Sequence, residues 1–430
     1  GDTDPKLLPR LPLLGAVLNL SIPDNELTRS LDAKVRKSSL EALLVDCLRA
    51  RAKKHPLLLV LEDCRWLDQL SSDLIEAISR ALADMPVLML LVYRPWDVHV
   101  PRAPRVSQLA HFTEVSLAEL APPEAEWLIR LKLEQFFGCD AQVPPGFVAR
   151  ITAQAAGNPF YIEELLNYLQ DRGIRPTDSE SLAALDLPSS LYSLILSRMD
   201  QLTQSQQTTM KVASVIGRLF PAAMVWGVYP QLGSVERVKA DLQALTDADL
   251  TLMDAQEPEL AYLFKHIITH EVAYESQLYA TRAMLHEQIG QYLERTYGET
   301  LDQYVSLLAY HYEHSDNEPK KREYLLKAGE AAQADHANAA AIDWFQKVLL
   351  LLEADEQVSV LLKLGKVLEL IGEWQAARER YEQALALAEE LDDRPAQAWC
   401  QTAIGALLGW KQGQYAEASV WLDRARAGFE

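Results

Sequence analysis

Two short, unbroken apolar runs, 57-LLLVL-61 and 87-VLMLLV-92, restrict this 430-residue chain more than any other feature. Each is too short for a buried helix and lacks the alternation of a strand with one wet face. Each therefore reads as a parallel strand buried on both faces. Between them, Ser71 or Ser72 can cap a helix that carries Leu74, Ile75, Ile78, Ala81 and Leu82 on one face, and Pro86 stops it. Strand, helix and strand over about 30-odd residues make one βαβ unit. A further strand is expected at 112-FTEVSL-117.

Composition narrows the partners. The chain holds 41 Lys and Arg against 61 Asp and Glu, a formal charge of −20. A general nucleic-acid or anionic-membrane binder needs a net basic face, so neither is expected. The four cysteines (Cys47, Cys64, Cys139, Cys400) make no CxxC pair, which points away from a disulfide framework and towards a reduced, cytoplasmic setting. No apolar run approaches membrane-spanning length, and the start GDTDPKLLPR lacks both a signal-peptide core and an initiator methionine. The chain is expected to be a piece of a longer protein.

Around the two strands the pattern is helical. A helix is expected over 38–54, capped by Ser38 or Ser39, and further helices over 123–137, 145–156 and 159–172. The breaker-rich stretch 173–190 reads as a linker. Residues 188–297 read as a helical module with a short β-wing near 248–264. Beyond about residue 300 the chain repeats itself: 336-HANAAAIDWFQKVL-349, 372-GEWQAARERYEQAL-385 and 413-GQYAEASVWLDRAR-426, spaced 36 and then 41 residues apart. Each reads as the second helix of a hairpin, with Phe345, Tyr381 and Leu422 at matching places. That spacing fits tetratricopeptide-type repeats.

The first apolar run ends in Glu62 and Asp63. Magnesium–ATP chemistry needs an acid at the C-terminal end of a buried strand, where the backbone holds it rigidly and the low dielectric strengthens its hold on the metal's shell. Glu62 would hold Mg²⁺, usually through water, and Asp63 would orient or deprotonate the attacking water. Trp66, Asp68, the helix, the second strand and Arg94 strengthen that reading over a simple strand cap. Arg94 ends the second run, where a guanidinium could sense a γ-phosphate; an ordinary salt bridge to Asp68 or Asp97 is the alternative. In 157-GNPFYIEELLNYL-169, Gly157 allows a tight approach, Asn158 caps a helix and Pro159 sits at its first position. Pro159 either lies against an adenine or simply starts a well-capped helix. His266, His270 and Glu271 share a helix face, but Tyr274 stands where a zinc site needs its second histidine, so metal binding is not expected there.

A half-site of this kind normally follows a GxxxxGK[ST] loop. The chain has one Gly-Lys pair, Gly365–Lys366, in a repeat helix, followed by Val367. The phosphate loop is therefore expected upstream of Gly1. Without it this segment is expected to be inactive as an ATPase and to bind ATP weakly.

The runs 11-LPLLGAVLNLSIPDNELTRSLDAKVRKSSLEALL-44, LLLVLEDCRWLDQLSSDLI, GNPFYIEELL, 187-LPSSLYSLILSRMDQL-202, 212-VASVIGRLF-220 and 263-LFKHIITHEVAYESQL-278, in this order, resemble the STAND-type AAA ATPase module. That module is found behind class III adenylate/guanylate cyclase domains and in large LuxR-type regulators. The resemblance implies a predominantly helical chain. Its parts would be a partial α/β P-loop NTPase core with a parallel sheet (1–120), an all-α lid (121–186), a winged-helix-like domain (187–297) and an α-solenoid of tetratricopeptide-like repeats (298–430). By the same resemblance Glu62 and Asp63 match the Walker B acids, Arg94 the sensor arginine, and Gly157 and Pro159 the GxP motif that touches the base. His266 sits where related domains place a histidine against the ADP β-phosphate. Arg65 stands where the family usually has histidine. The implied cofactors are ATP/ADP and Mg²⁺. A protein partner on the repeats and an N-terminal output domain, a nucleotide cyclase, are implied as well. Two other outcomes stay open: a LuxR-type transcription regulator and a non-catalytic interaction scaffold.

Overall fold

The computed structural model describes residues 5–15, 22–31, 33–62, 64, 67, 69–93, 105–137, 145–174, 187–256 and 259–429. Helices dominate. The chain divides into two compact units, residues 1–115 with 319–430 and residues 116–318.

In the first unit a short helix α1 (Glu26–Arg29) and a long helix α2 (Ala33–Ala52) precede strand β1 (Leu57–Leu61), helix α3 (Gln69–Ala81) and strand β2 (Val87–Leu91). The strands pair in parallel from Leu57↔Val87 to Leu61↔Leu91, as their apolar runs predict. Burial of both faces does not follow. Leu58, Val60, Leu88 and Leu90 are 62, 49, 66 and 50% exposed, while the alternate residues are half-buried. The covered face carries Met89, whose sulfur lies 3.6 Å from Ser79 Oγ of α3. A βαβ unit supplies a helix to one face only, so the other face needs layers that the described residues do not provide.

Three further expectations are corrected. Residues 112–117 form no strand: Val115 and Leu117 are 76 and 91% exposed, and alternation alone makes no ladder without a neighbouring strand. Helix α2 starts at Ala33, ahead of Ser38 and Ser39, because Arg36 is tied to Asp24 at 2.9 Å and Lys37 to Asp73, which hold the first turns in place. Helix α3 starts at Gln69, so Ser71 and Ser72 lie inside its first turn rather than at its cap.

The rest of this unit is a set of helical hairpins. The second unit's helices, numbered α4–α13, come first in chain order. The hairpins are therefore α14 (Glu318–Ala334) with α15 (Asn338–Leu349), α16 (Ala354–Leu370) with α17 (Trp374–Glu390), and α18 (Arg394–Ala406) with α19 (Tyr415–Phe429). Gly329, Gly365 and Gly405 in the first helices lie under Phe345, Tyr381 and Leu422 in the second. A Cβ on these glycines would come within 2.6, 2.3 and 2.9 Å of those side chains. The small–large alternation in the sequence is thus a closest-approach rule between paired helices. The hairpin turns match too. His336, Gly372 and Gly413 hold equivalent places and all take left-handed backbone, with φ of 57, 87 and 68°.

The second unit begins with α4 (Pro122–Phe137), α5 (Pro145–Ala155) and α6 (Pro159–Asp171), which enclose Ile129, Leu133, Ile151, Ile162 and Leu165. These bounds follow the predicted ones closely, because Pro, Asn and the apolar period act locally. Helices α7 (Leu191–Met199), α8 (Gln204–Ile216), α9 (Ala222–Val228) and α10 (Val235–Asp247) follow. A three-stranded antiparallel sheet in the order β3 (Leu219–Pro221), β5 (Ala261–Phe264), β4 (Thr251–Ala255) is built on them. Strands β4 and β5 pair antiparallel within the stretch 248–264, where a short β-wing was expected. Helices α11 (Ile267–Glu275), α12 (Tyr279–Thr296) and α13 (Val305–Glu313) complete the unit. Among the described residues no helix is long and apolar enough to cross a membrane.

Candidate functional site

Of the residues singled out in the sequence, Gly157 and Pro159 start α6, and His266 packs on Phe160 in its first turn. Gly157 has φ +77°, a conformation that costs L-residues energy, and its carbonyl accepts the Leu120 N–H at 2.9 Å. A Cβ there would lie 2.6 Å from the Leu120 carbonyl oxygen. The tight approach that needs glycine is therefore to backbone. Asn158 caps α6 through its Oδ1, which accepts the Phe160 and Tyr161 N–H groups at 3.0 and 3.2 Å. Pro159 occupies the first helical position and is exposed.

His266 is the N-cap residue of α11 but makes no side-chain capping bond. Its ring lies against Phe160, with centroids 3.8 Å apart and planes tilted by 42°. Its Nε2 is buried without a hydrogen-bond partner among the described residues. Burial, and then the neighbouring Lys265 ammonium, push its pKa below the usual histidine value, so the ring is neutral at pH 7. Lys265 itself is committed: it binds Glu163 of α6 at 3.0 Å and also Asp249, and Lys132 of α4 binds the same Glu163 at 2.7 Å. On the same helix, the adjacent Glu164 and, at the C-terminal end, Asp171 take the guanidinium of Arg198 at 2.7 and 2.8 Å. That guanidinium is 1% exposed and also donates to the Ala248 carbonyl. One face of α6 is thereby bolted to the helices and sheet that follow it.

An anion placed here would find the first N–H groups of α6 already spent on Asn158 and the Lys265 ammonium spent on two carboxylates. Among the described residues His266 Nε2 is a buried donor without a partner, in the tautomer that carries its proton there. The Arg218 guanidinium is near enough to His266 to act on it electrostatically.

Glu62 lies in the other unit, exposed, directly after β1. Asp63 and Arg94 lie outside the described residues. Among the described residues no group of three or more His, Cys, Asp or Glu side chains is placed to hold a metal ion. His270, the second residue of the incomplete zinc-like pattern, bonds the Ser214 carbonyl at 2.9 Å.

Several partners were not legible as site residues. Phe160, Glu163, Glu164 and Arg198 look like ordinary helix residues in sequence. A second histidine cluster also went unread: His286 Nδ1 lies 2.9 Å from His311 Nδ1, and the Tyr274 hydroxyl lies 3.0 Å from His286 Nε2. Burial pushes both imidazoles down to about 3.

Comparison with known proteins gives a distant setting. An uncharacterized protein of Rhizobium meliloti (strain 1021) is 23% identical over 99% of this chain and 40% of its own length. Adenylate cyclase type 10 of Mus musculus is 21% identical over 61% of this chain and 19% of its own length. The chain spans less than half the length of these curated relatives. Among solved structures, a STAND (signal transduction ATPase with numerous domains) protein with a tetratricopeptide repeat sensor from Pyrococcus horikoshii covers 100% of this chain and 76% of its own, at 13% identity and a TM-score of 0.39. That overlap is too loose to carry an argument. One family match falls on the hairpins that the Gly365–Tyr381 and Gly405–Leu422 pairs build: residues 356–430 match the tetratricopeptide repeat family and form part of such an array.

Proposed function

We propose that this chain is the nucleotide-dependent regulatory part of a larger signalling protein, a STAND-type ATPase module whose repeats take a protein partner. The output it governs would be a nucleotide cyclase domain. The observation that carries the reading is His266. Its buried, unpartnered Nε2 stands against Phe160, beside the glycine–proline start of α6. The order of the quoted motifs supports the same reading, and so does the repeat match at residues 356–430. The partial likeness to adenylate cyclase type 10 supports the choice of output.

In this reading Mg²⁺–ATP supplies a diphosphate whose state the protein senses and a γ-phosphate that is lost on hydrolysis. Glu62 would hold the metal's water shell and Asp63 would orient the attacking water. Arg94 would sense the γ-phosphate, Pro159 would bind the base, and His266 would donate one neutral hydrogen bond to the diphosphate. Since Lys265 and Arg198 fasten α6 to the domain that carries His266, a change at the nucleotide shifts the balance between two arrangements of these elements. Partner binding on the repeats biases the same balance.

The test is the ADP/ATP affinity ratio, measured with fluorescent nucleotide at fixed Mg²⁺ in the full gene product and in this chain alone. His266→Ala should weaken ADP more than ATP in the full product, by about tenfold if the bond is charge-assisted. An unchanged ratio accompanied by a lower melting temperature makes His266 purely structural and removes the support for the reading.

A further inference from the structure

A cleft of about 300 Å³ opens on the second unit, well apart in sequence from the α6 N-terminus. Its walls are the middle of α8, Tyr229 just after α9, and the turn and first helical turns that join α11 to α12. No aspartate or glutamate lines it, although the chain's formal charge is −20. One cation does, Lys211. Lysines 37, 132 and 265 each meet a carboxylate, whereas Lys211 makes no ion pair among the described residues. An uncommitted ammonium in an acid-free cleft of an acidic protein is a local reversal of the surrounding potential.

The wall is built rather than loose. Gln277, 7% exposed, places its Nε2 near three oxygens: the Lys211 carbonyl at 3.2 Å, Ser214 Oγ at 3.2 Å and the Ala273 carbonyl at 3.1 Å. Three acceptors around one nitrogen fix the orientation of the amide and tie the α11–α12 turn to α8. They also leave Oε1 as a buried acceptor with no donor. Thr281 and Tyr229 line the same cleft, and their hydroxyls are uncommitted among the described residues. Val212, Leu278 and Met284 supply the apolar part of the lining, with Leu278 78% exposed at its rim.

We propose that this cleft binds a small organic monocarboxylate, its charge held by Lys211 with Thr281 and Tyr229 and its apolar body laid along Val212, Leu278 and Met284. The lining sets the class. One ammonium with no lining arginine balances a single negative charge, so a phosphate dianion would stay half-neutralised. The volume takes roughly ten non-hydrogen atoms at about 30 Å³ each. Because the bound molecule would bridge α8 and α12, it would stiffen the unit that carries His266. The binding claim itself does not depend on any nucleotide site.

The test uses the whole 430-residue chain. Sodium octanoate, below its micellar concentration, is titrated calorimetrically at neutral pH. Octanamide serves as the neutral isostere and inorganic phosphate as the anion without a body. Octanoate should bind at one site and raise the melting temperature. Octanamide and phosphate should bind at least about tenfold more weakly, the loss expected for one charge-assisted bond or for the missing apolar contact. Lys211→Met should weaken octanoate by about tenfold or more while leaving the unliganded melting temperature in place, since Lys211 holds no ion pair to lose. Met284→Trp keeps the charge and fills the cleft, and should abolish binding. The proposal is overturned by equal binding of octanoate and octanamide, by phosphate binding as tightly as octanoate, by wild-type affinity in either variant, or by no saturable binding of octanoate.

Discussion

Phe160 and His266 lie with ring centroids 3.8 Å apart, and this contact joins the start of the α6 helix to the N-cap of α11. The contact helps to keep the imidazole out of water and so neutral. Phe160→Ala should let water reach the ring and move its titration back up towards the ordinary histidine value of 6.5. An NMR titration of the His266 ring protons against pH reads this directly. A midpoint as low as in the wild type would mean that Lys265, not burial against Phe160, sets the shift.

The Arg198 guanidinium joins Glu164 and Asp171 of one helix to the Ala248 carbonyl of the next module. Arg198→Met leaves the 1%-exposed Glu164 carboxylate without its cation. The expected loss is about 3–5 kcal/mol in urea unfolding at pH 7, the usual result of stripping one partner from a buried pair. Pairing it with Glu164→Leu should recover most of that loss. If the double variant is no more stable than the single one, the damage comes from lost packing rather than from the stranded charge.

Gly365 carries no side chain because Tyr381 occupies the space: a Cβ would sit 2.3 Å from the ring. Gly365→Ala should cost about 1–3 kcal/mol by overpacking, although alanine favours helix. Adding Tyr381→Leu should lower the penalty of the alanine. A thermal melt of the single and double variants settles it, and an unchanged melting temperature for Gly365→Ala would refute closest approach as the basis of the repeat.

His286 and His311 share one short contact and are both depressed to about 3 from 6.5. The sign follows from proton counts. Below pH 6.5 the unfolded chain binds protons at both rings, and the folded chain does not until pH nears 3. Stability is therefore fully present above about pH 6.5 and falls steadily towards pH 3, by up to about 2.7 kcal/mol per pH unit where both rings contribute. Urea midpoints between pH 7.5 and 4.5 should drop more steeply for the wild type than for the His286→Gln, His311→Asn double variant. Parallel slopes would place the acid lability elsewhere.

The sequence by itself determined the local elements of this protein. The starts of α4, α5 and α6, the parallel pair around 57–61 and 87–91, the strand pair within 248–264, and the three hairpins were legible. Proline, asparagine caps, unbroken apolar runs and a small–large period act within a few residues or repeat faithfully. The spacing of Phe345, Tyr381 and Leu422 marks the repeats in the sequence. The strand expected at 112–117 was not there, since a strand exists only through a neighbour that the sequence does not name. Burial of both faces of β1 failed for the same reason. Glu62 was legible as a candidate from the strand it follows, and His266 from a resemblance. The reason to look at His266 again, however, is its stacking on Phe160 and its unpartnered nitrogen. Lys265 and Glu163 are 102 residues apart and Arg198 and Glu164 are 34 apart. Only the tertiary structure chose those partners. A side chain's charge and length are encoded locally, but which opposite charge it meets in a low-dielectric interior depends on how whole helices pack.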